Sequence, residues 1–341
     1  GNLGAEFEFT VHGRSSRLRM HEEVRLECTL ASGERWASSG TVFDASMRGS
    51  TLKCKCDLNW FDGPPPRTTG WKVYKVGSDV TFERMQFALS LFCSCEYVAS
   101  PMVWDTVIGI KTPPAPLRST LPHSWDAPGL GSLLNPSQRV AVERSLRSWV
   151  LLVQGPPGTG KTNTLAVIAY HFVGQRAGRV LICADSNTAV DEIAVRLSVL
   201  PHMHVLRLEA RSRQPGVALP ASVRLAHHVK RVTRSADSDR LDYFEQLLAE
   251  RGELSEGDST AYNKLRSRVT SDAIAQADIV CCTCSVAGGS DMRPFVFPFV
   301  IIDEAAQVLE PAALIPLVLG CQRAVLIGDH QQLRPFVSDE R

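Results

Sequence analysis

The sequence predicts an α/β fold built on a parallel sheet, with a helical hairpin inserted in it and a small antiparallel β-barrel in front. Three observations carry this. Five short apolar runs, Val150–Val153, Val180–Cys183, Ile279–Cys282, Phe299–Ile302 and Ala324–Ile327, lie from residue 150 onward, and most of them feed a helical pattern. Runs without polar alternation are the mark of strands covered on both faces, as in parallel sheets flanked by helices. A glycine loop, Gly155-Pro-Pro-Gly-Thr-Gly-Lys-Thr162, joins the first run to its helix, the order a phosphate-binding loop requires. Before residue 81 the chain instead shows short alternating segments broken by turn residues.

Residues 1–81 include Arg25-Leu-Glu-Cys-Thr-Leu30, Gly40-Thr-Val-Phe43, Thr51-Leu-Lys-Cys54 and the turn Pro64-Pro-Pro66, which predict the small barrel. Residues 82–130 form a helical stalk, Phe82 to Val107, and a proline-rich connector, Pro113 to Pro128. The α/β domain occupies 131–208 and resumes at 272–341. Its first helix, Thr162 to Val173, is closed by Gly174, and Pro201 follows its second. Another starts at Glu310-Pro311, with Gly320 as its C-cap. Between the two parts, 209–271 carry one stripe at Leu241, Phe244, Leu247 and Leu248 and another at Tyr262, Leu265 and Val269, with Arg251 to Gly257 as the turn. The approach holds Arg211, Arg213, Arg224, Lys230, Arg231 and Arg234, and a solvated face and a nucleic-acid contact both fit it.

With 341 residues, 44% of them hydrophobic, the chain can bury the cores of two or three domains. No run reaches the roughly 18 apolar residues of a membrane span, and no amino-terminal signal pattern is present. The expectation is an intracellular protein with no membrane partner. The first residue is not Met, as expected of a piece of something longer. Lys and Arg (37) nearly balance Asp and Glu (36), for a net charge of +1, so a nucleic-acid footprint has to be local. Of ten cysteines, Cys183, Cys281 and Cys282 fall in apolar runs and read as free core thiols. Cys54 with Cys56 and Cys93 with Cys95 make two C-x-C pairs, read as strand core or, if each sits on a strand, as a Cys₄ zinc site.

The chemistry concentrates at strand ends. Gly155, Pro156, Pro157, Gly158, Thr159 and Gly160 let backbone N–H groups converge on phosphates at a helix N-terminus. Lys161 is expected to reach the β and γ phosphates, with the Thr162 hydroxyl on Mg²⁺. Ile301-Ile-Asp-Glu304 ends a strand in two carboxylates: Asp303 for the Mg²⁺ shell, Glu304 to orient and deprotonate the attacking water. Gln332, in Ile327-Gly-Asp-His-Gln-Gln332, is expected to sense the γ-phosphate because an amide both donates and accepts. Gln138, in Leu134-Asn-Pro-Ser-Gln138, offers the same paired contacts to adenine. ATP and Mg²⁺ are the expected cofactors.

Together these motifs closely resemble superfamily 1 helicases, and more narrowly the up-frameshift type of nonsense-mediated mRNA decay. The resemblance takes in Leu134 to Gln138, Gly155 to Thr162, Val180 to Asp191, Ala277 to Cys284, Asp303 to Gln307 with Glu310-Pro311, and Gly328 to Leu333. It extends to Phe82-Glu-Arg-Met-Gln-Phe-Ala-Leu89 and Arg251-Gly-Glu-Leu254, so nearly the whole chain is covered. It implies a RecA-like domain carrying barrel and helical insertion as accessories, and an ATP-dependent RNA helicase that translocates on a single strand. It also implies strand contacts at Ser186, Asn187 and Ala189 and at Cys282, Thr283 and Cys284; for Thr283, a turn-capping role stands beside the contact. The implied partners are single-stranded RNA, with DNA as the alternative, and mRNA-decay factors, for a monomer in the cytoplasm, with the nucleus as a further location. Asp303-Glu-Ala-Ala306 is closer to the senataxin and immunoglobulin μ-binding relatives, and Leu333-Arg-Pro335 departs from the usual Leu-Gly-Pro. A DNA/RNA helicase of that branch and a nucleotide-gated RNA clamp are therefore the alternatives. The second RecA-like domain, which supplies transition-state arginines in such helicases, is not expected before Arg341, so poor hydrolysis is expected of this chain.

Overall fold

The computed structural model describes residues 5–12, 23–30, 35–48, 51–59, 72–75, 79–94, 99–109, 117, 121–122, 124–125, 127–130, 134–175, 178–210, 219–232, 235–251 and 254–335. Two compact units divide the chain between Glu83 and Arg84. In the first, β1 (Ala5–His12), β2 (Glu23–Thr29), β3 (Arg35–Arg48), β4 (Thr51–Asn59) and β5 (Lys72–Lys75) form one antiparallel sheet in the order β1-β4-β3-β2-β5. Alternation fixes its register: Cys28 pairs with Trp36, both buried, while Leu26 two residues earlier is fully buried on the same strand. A register shift between Val42 and Asp44 bends β3.

Helix α1 (Asp79–Cys93) spans the division and begins slightly before the expected Phe82. The helical stretch expected to run on to Val107 is broken: α2 (Pro101–Ile108) is a separate helix, started by Ser100, whose hydroxyl accepts from the Val103 N–H, and closed by Gly109 at φ 73°. Cys93 ends a helix rather than lying on a strand, so the strand condition for a joint thiol site fails there; Cys95 lies outside the described residues. Among the described residues no cluster of three or more metal-ligating side chains occurs.

The second unit then lays down α3 (Pro136–Arg147), β6 (Val150–Gln154), α4 (Lys161–Gly174), β7 (Val180–Ala184), α5 (Asn187–Leu197) and β8 (Val205–Arg207). Next come α6 (Leu225–Val232), α7 (Ser235–Arg251), α8 (Glu256–Gln276), β9 (Ile279–Thr283), α9 (Cys284–Ala287), β10 (Phe299–Ile302), α10 (Glu310–Leu317) and β11 (Arg323–Gly328). All six strands from β6 to β11 pair in parallel in the order β6-β11-β10-β7-β9-β8. The five apolar runs are five of these strands. The sixth, β8, is three residues long and ends in arginine, too short for any period to show.

Strand alternation splits the core between the two faces. Val180, Ile182, Phe299, Ile301, Val325 and Ile327 pack with α3, α4 and α5 on one side. Leu181, Cys183, Val280, Cys282, Val300 and Ile302 pack with α1, α2, α9 and α10 on the other. Each large apolar side chain so buried contributes about 1.5–3 kcal/mol. Strand β6 departs from the expectation of two covered faces, because it is the edge: Leu152 is 74% exposed.

Between β8 and β9, Val229 of α6, Leu241 and Phe244 of α7 and Tyr262, Leu265 and Val269 of α8 form a separate cluster, with Phe244 and Tyr262 edge-to-face at 5.9 Å. Helix α8 then runs past residue 271 into the sheet's own core, where Ala273 and Ile274 are fully buried. Of the basic approach, Arg211, Arg213 and Arg234 lie outside the described residues, as do the side chains of Lys230 and Arg231. Arg224 Nε donates to the Leu219 carbonyl at 3.1 Å.

Candidate functional site

Strands β6, β11 and β10 are neighbours, so the loops leaving their C-terminal ends lie side by side, where ligands bind in open α/β sheets. The first of these loops is the glycine loop. Its Gly155 N–H donates to the Gly328 carbonyl at 3.1 Å, tying it to the end of β11. The Thr159 hydroxyl donates to the Pro156 carbonyl at 2.7 Å, and Lys161 Nζ donates to the carbonyls of Gly155 and Pro156 at 2.7 and 3.1 Å. Gly160 caps α4 at φ 78° without a side-chain hydrogen bond, which leaves the first-turn N–H groups of a fourteen-residue helix for an anion. The left-handed backbone of Gly160 favours glycine, and a Cβ there would stand 2.7 Å from Gln138 Nε2, the movable end of a side chain.

Gln138 is positioned by α3. Asn135 and Gln138 form a reciprocal capping box: Asn135 Oδ1 accepts from the Gln138 N–H, and Gln138 Oε1 accepts from the Asn135 N–H, each at 2.9 Å. Gln138 Nε2 donates to the Thr159 carbonyl at 2.9 Å, joining this turn to the glycine loop. A cavity of about 380 Å³ opens beside them, lined in part by Gln138, Arg144, Gly155, Lys161 and Thr164.

At the end of β10, Asp303 is 6% exposed, donates its N–H to the Cys183 carbonyl at 2.8 Å, and accepts the Glu304 N–H on Oδ1 at 2.9 Å. Glu304 has φ 50° and ψ 33°, left-handed backbone that a non-glycine residue adopts at a cost of about 1–3 kcal/mol. Burial raises the pKa of Asp303 against the opposing pull of the Glu304 N–H and Lys161. Burial also raises Glu304, helped by the negative charges of Asp303, Glu192 and Asp185. A proton acceptor with a raised pKa is a stronger base, the property wanted for water activation. At the end of β11, Asp329 Oδ2 accepts from Gln332 Nε2 at 2.8 Å and Oδ1 from the Gln331 N–H at 3.1 Å; the Gln332 bond leads in holding Asp329 below the usual carboxylate range. His330 is exposed.

The residues expected at a nucleic-acid strand separate into two groups. Ser186 and Asn187 are exposed at the start of α5, where Ser186 Oγ accepts from the Ala189 N–H at 3.1 Å; Ala189 itself is buried. Cys282 and Cys284 are 0% and 2% exposed, and Thr283, at 7%, caps α9 by accepting from the Val286 N–H at 3.3 Å. The side chains of these last three thus face the core or, for Thr283, serve the turn-capping role that stood beside the strand contact. Strand β9 runs between β7 and β8 with both faces covered, which turns the Cys282 thiol inward, while Cys284 begins α9 beyond the Thr283 cap.

Three residues carried no assigned role in the sequence, although Gly328 lies within a quoted motif. Glu192 adds a negative charge to the Asp303-Glu304 end, and Gly328 lets the Ala305 and Ala306 amides approach β11. Arg207, fully buried, donates Nε to Asp191 Oδ1 at 2.8 Å, Nη1 to the Leu208 carbonyl at 2.7 Å and Nη2 to Asn187 Oδ1 at 3.0 Å. Only the arginine inside the apolar stretch Val205-Leu-Arg-Leu208 hinted at it.

A glycine loop, an Asp-Glu strand end and an Asp-Gln strand end on three adjoining parallel strands define a P-loop α/β domain of the RecA-like class. The AAA domain family matches residues 133–258 and 228–340, and the chain belongs to that family. It is 40% identical over 335 residues to the Regulator of nonsense transcripts 1 homolog of Arabidopsis thaliana, which takes in 98% of this chain and 26% of that protein. It is 33% identical over 332 residues to the ATP-dependent helicase upf1 of Schizosaccharomyces pombe, covering 95% and 35% respectively. The resemblance drawn from the motifs thus extends along nearly the whole chain, which itself spans about a quarter to a third of the length of these relatives. Among solved structures, the UvsW helicase from Bacteriophage T4 superposes with a TM-score of 0.34 at 14% identity over 57% of this chain and 51% of that one, too loosely to carry an argument.

Proposed function

We propose that this chain is the nucleotide-binding motor segment of an ATP-dependent RNA helicase of nonsense-mediated mRNA decay. The observation that carries the reading is the convergence of the glycine loop, Asp303-Glu304 and Gln332 at the ends of adjoining strands. The α4 N-terminus and Lys161 hold the phosphates, and Lys161 exchanges its loop carbonyls for phosphate oxygens. Gln138 reads adenine by turning its amide from Thr159 to the base edge. Glu304 orients and deprotonates the attacking water, and Gln332 exchanges Asp329 for the γ-phosphate and so reports its presence.

Mg²⁺ fits the donors present. Thr162 supplies a hydroxyl and Asp303 an oxygen, Oδ2, beside the one that accepts from Glu304, both hard ligands of the kind this ion prefers. When bound there, the ion supplies charge neutralisation on the phosphates. Ser186 and Asn187, with the backbone at Thr283, form the strand-binding edge. In the same reading the amino-terminal sheet closes as a small barrel, residues 209–271 are an inserted accessory domain, and the protein works in the cytoplasm with mRNA-decay factors. The test is the affinity for a labelled single-stranded RNA with ADP and with a non-hydrolysable ATP analogue. Affinities that differ support a nucleotide-driven grip; identical affinities reject it.

A further inference from the structure

We propose that Arg207 is a positioning residue that fixes the Asn187 carboxamide with its N–H₂ group turned toward a bound nucleic-acid strand. This rests on the strand-binding edge assigned above and adds to it a residue that touches no strand. The Arg207 side chain is fully buried and that of Asp191 is 2% exposed, so their contact at 2.8 Å already pairs the buried charge. The further bond from Nη2 reaches Asn187, whose side chain is exposed. A guanidinium only donates, so the Asn187 amide has to present its oxygen inward and its nitrogen away from Arg207. Asn187 and Asp191 lie four residues apart on one face of α5, and the guanidinium spans both. The backbone of Arg207 pairs with Cys281 on β9, two residues before Thr283, so the same residue holds the α5 loop against the neighbouring strand end. An amide that points its donors outward at a helix N-terminus suits phosphate oxygens of either RNA or single-stranded DNA.

The experiment measures binding of a fluorescent oligouridylate by the unsubstituted chain, by Asn187→Ala, by Arg207→Met combined with Asp191→Leu, and by all three changes together. Removing both charges at once avoids stranding either in the core. Arg207→Lys, which keeps the charge opposite Asp191 without the fork, is the second variant. The expected result is a loss of about tenfold in RNA affinity for Asn187→Ala and for each Arg207 variant, with no further loss when Asn187→Ala is added to the charge-pair variant. Affinity for an ATP analogue stays within about twofold throughout, as expected for a site on other strand ends. Losses that multiply in the combined variant, RNA affinity unchanged in both Arg207 variants, or weakening that follows only the unfolded fraction would each overturn the proposal. Failure of the unsubstituted chain to bind any oligonucleotide would overturn the functional reading and this proposal with it, an outcome distinct from the others.

Discussion

Replacing Gly328 with alanine adds one methyl group where the Asp303-Glu304 turn leans on β11. A Cβ there would stand 3.0 Å from the Ala306 nitrogen and 3.2 Å from the Ala305 nitrogen, so the neighbour has to give by a few tenths of an ångström. Both neighbours are backbone, which has no rotamer through which to escape. The turn is held on its far side by the Asp303 N–H to Cys183, and Glu304 already sits at φ 50°, so the displacement falls on Glu304. Overpacking of this kind costs about 1–3 kcal/mol of stability. A misplacement of about 1 Å at a reacting group costs on the order of 100-fold in rate, so a smaller shift at Glu304 is worth about tenfold. The assay pairs urea unfolding with single-turnover ATP hydrolysis in the presence of RNA, and with ATP-analogue binding as a control expected to change by less than about twofold. Unaltered stability together with an unaltered hydrolysis rate would refute the claim that this contact sets the position of Glu304.

Gly160→Ala strains a left-handed residue at the start of α4 and should lower the unfolding free energy by about 1–2 kcal/mol in a denaturant titration; unchanged stability would contradict it. Asn135→Ala removes one half of the capping box and should lower unfolding free energy by about 1 kcal/mol, read by denaturant titration. The raised pKa of Glu304 predicts that hydrolysis is lost, as pH falls, above the ordinary glutamate range, because the base works only when ionised. Glu192→Gln removes one of the charges that raise it, so the acid limb of the pH–rate profile should move to lower pH; a limb that stays in place would remove Glu192 from the account.

The parallel sheet was legible because five of its strands are unbroken apolar runs, and alternation within them sorts cleanly onto two faces. The glycine loop and both carboxylates were legible because their chemistry is written in consecutive residues. What hid was set by contacts distant in sequence. Arg207 reads as a misplaced charge until Asp191, sixteen residues earlier, is seen beside it. Edge exposure of Leu152 depends on strand order, which the apolar run Val150–Val153 does not encode. Cys282 was legible as a core thiol from its apolar run, whereas the burial of Cys284 follows from its place at the start of α9, under the Thr283 cap, which no run encodes.

The central claim is that Lys161 holds phosphate while Glu304 serves the chemical step. The most direct test measures ATP-analogue binding and single-turnover hydrolysis for Lys161→Ala and Glu304→Gln side by side with the unsubstituted chain. The account predicts that Lys161→Ala loses binding, whereas Glu304→Gln binds normally and loses hydrolysis by about 100-fold or more. Binding retained by Lys161→Ala, or hydrolysis retained by Glu304→Gln, would contradict it.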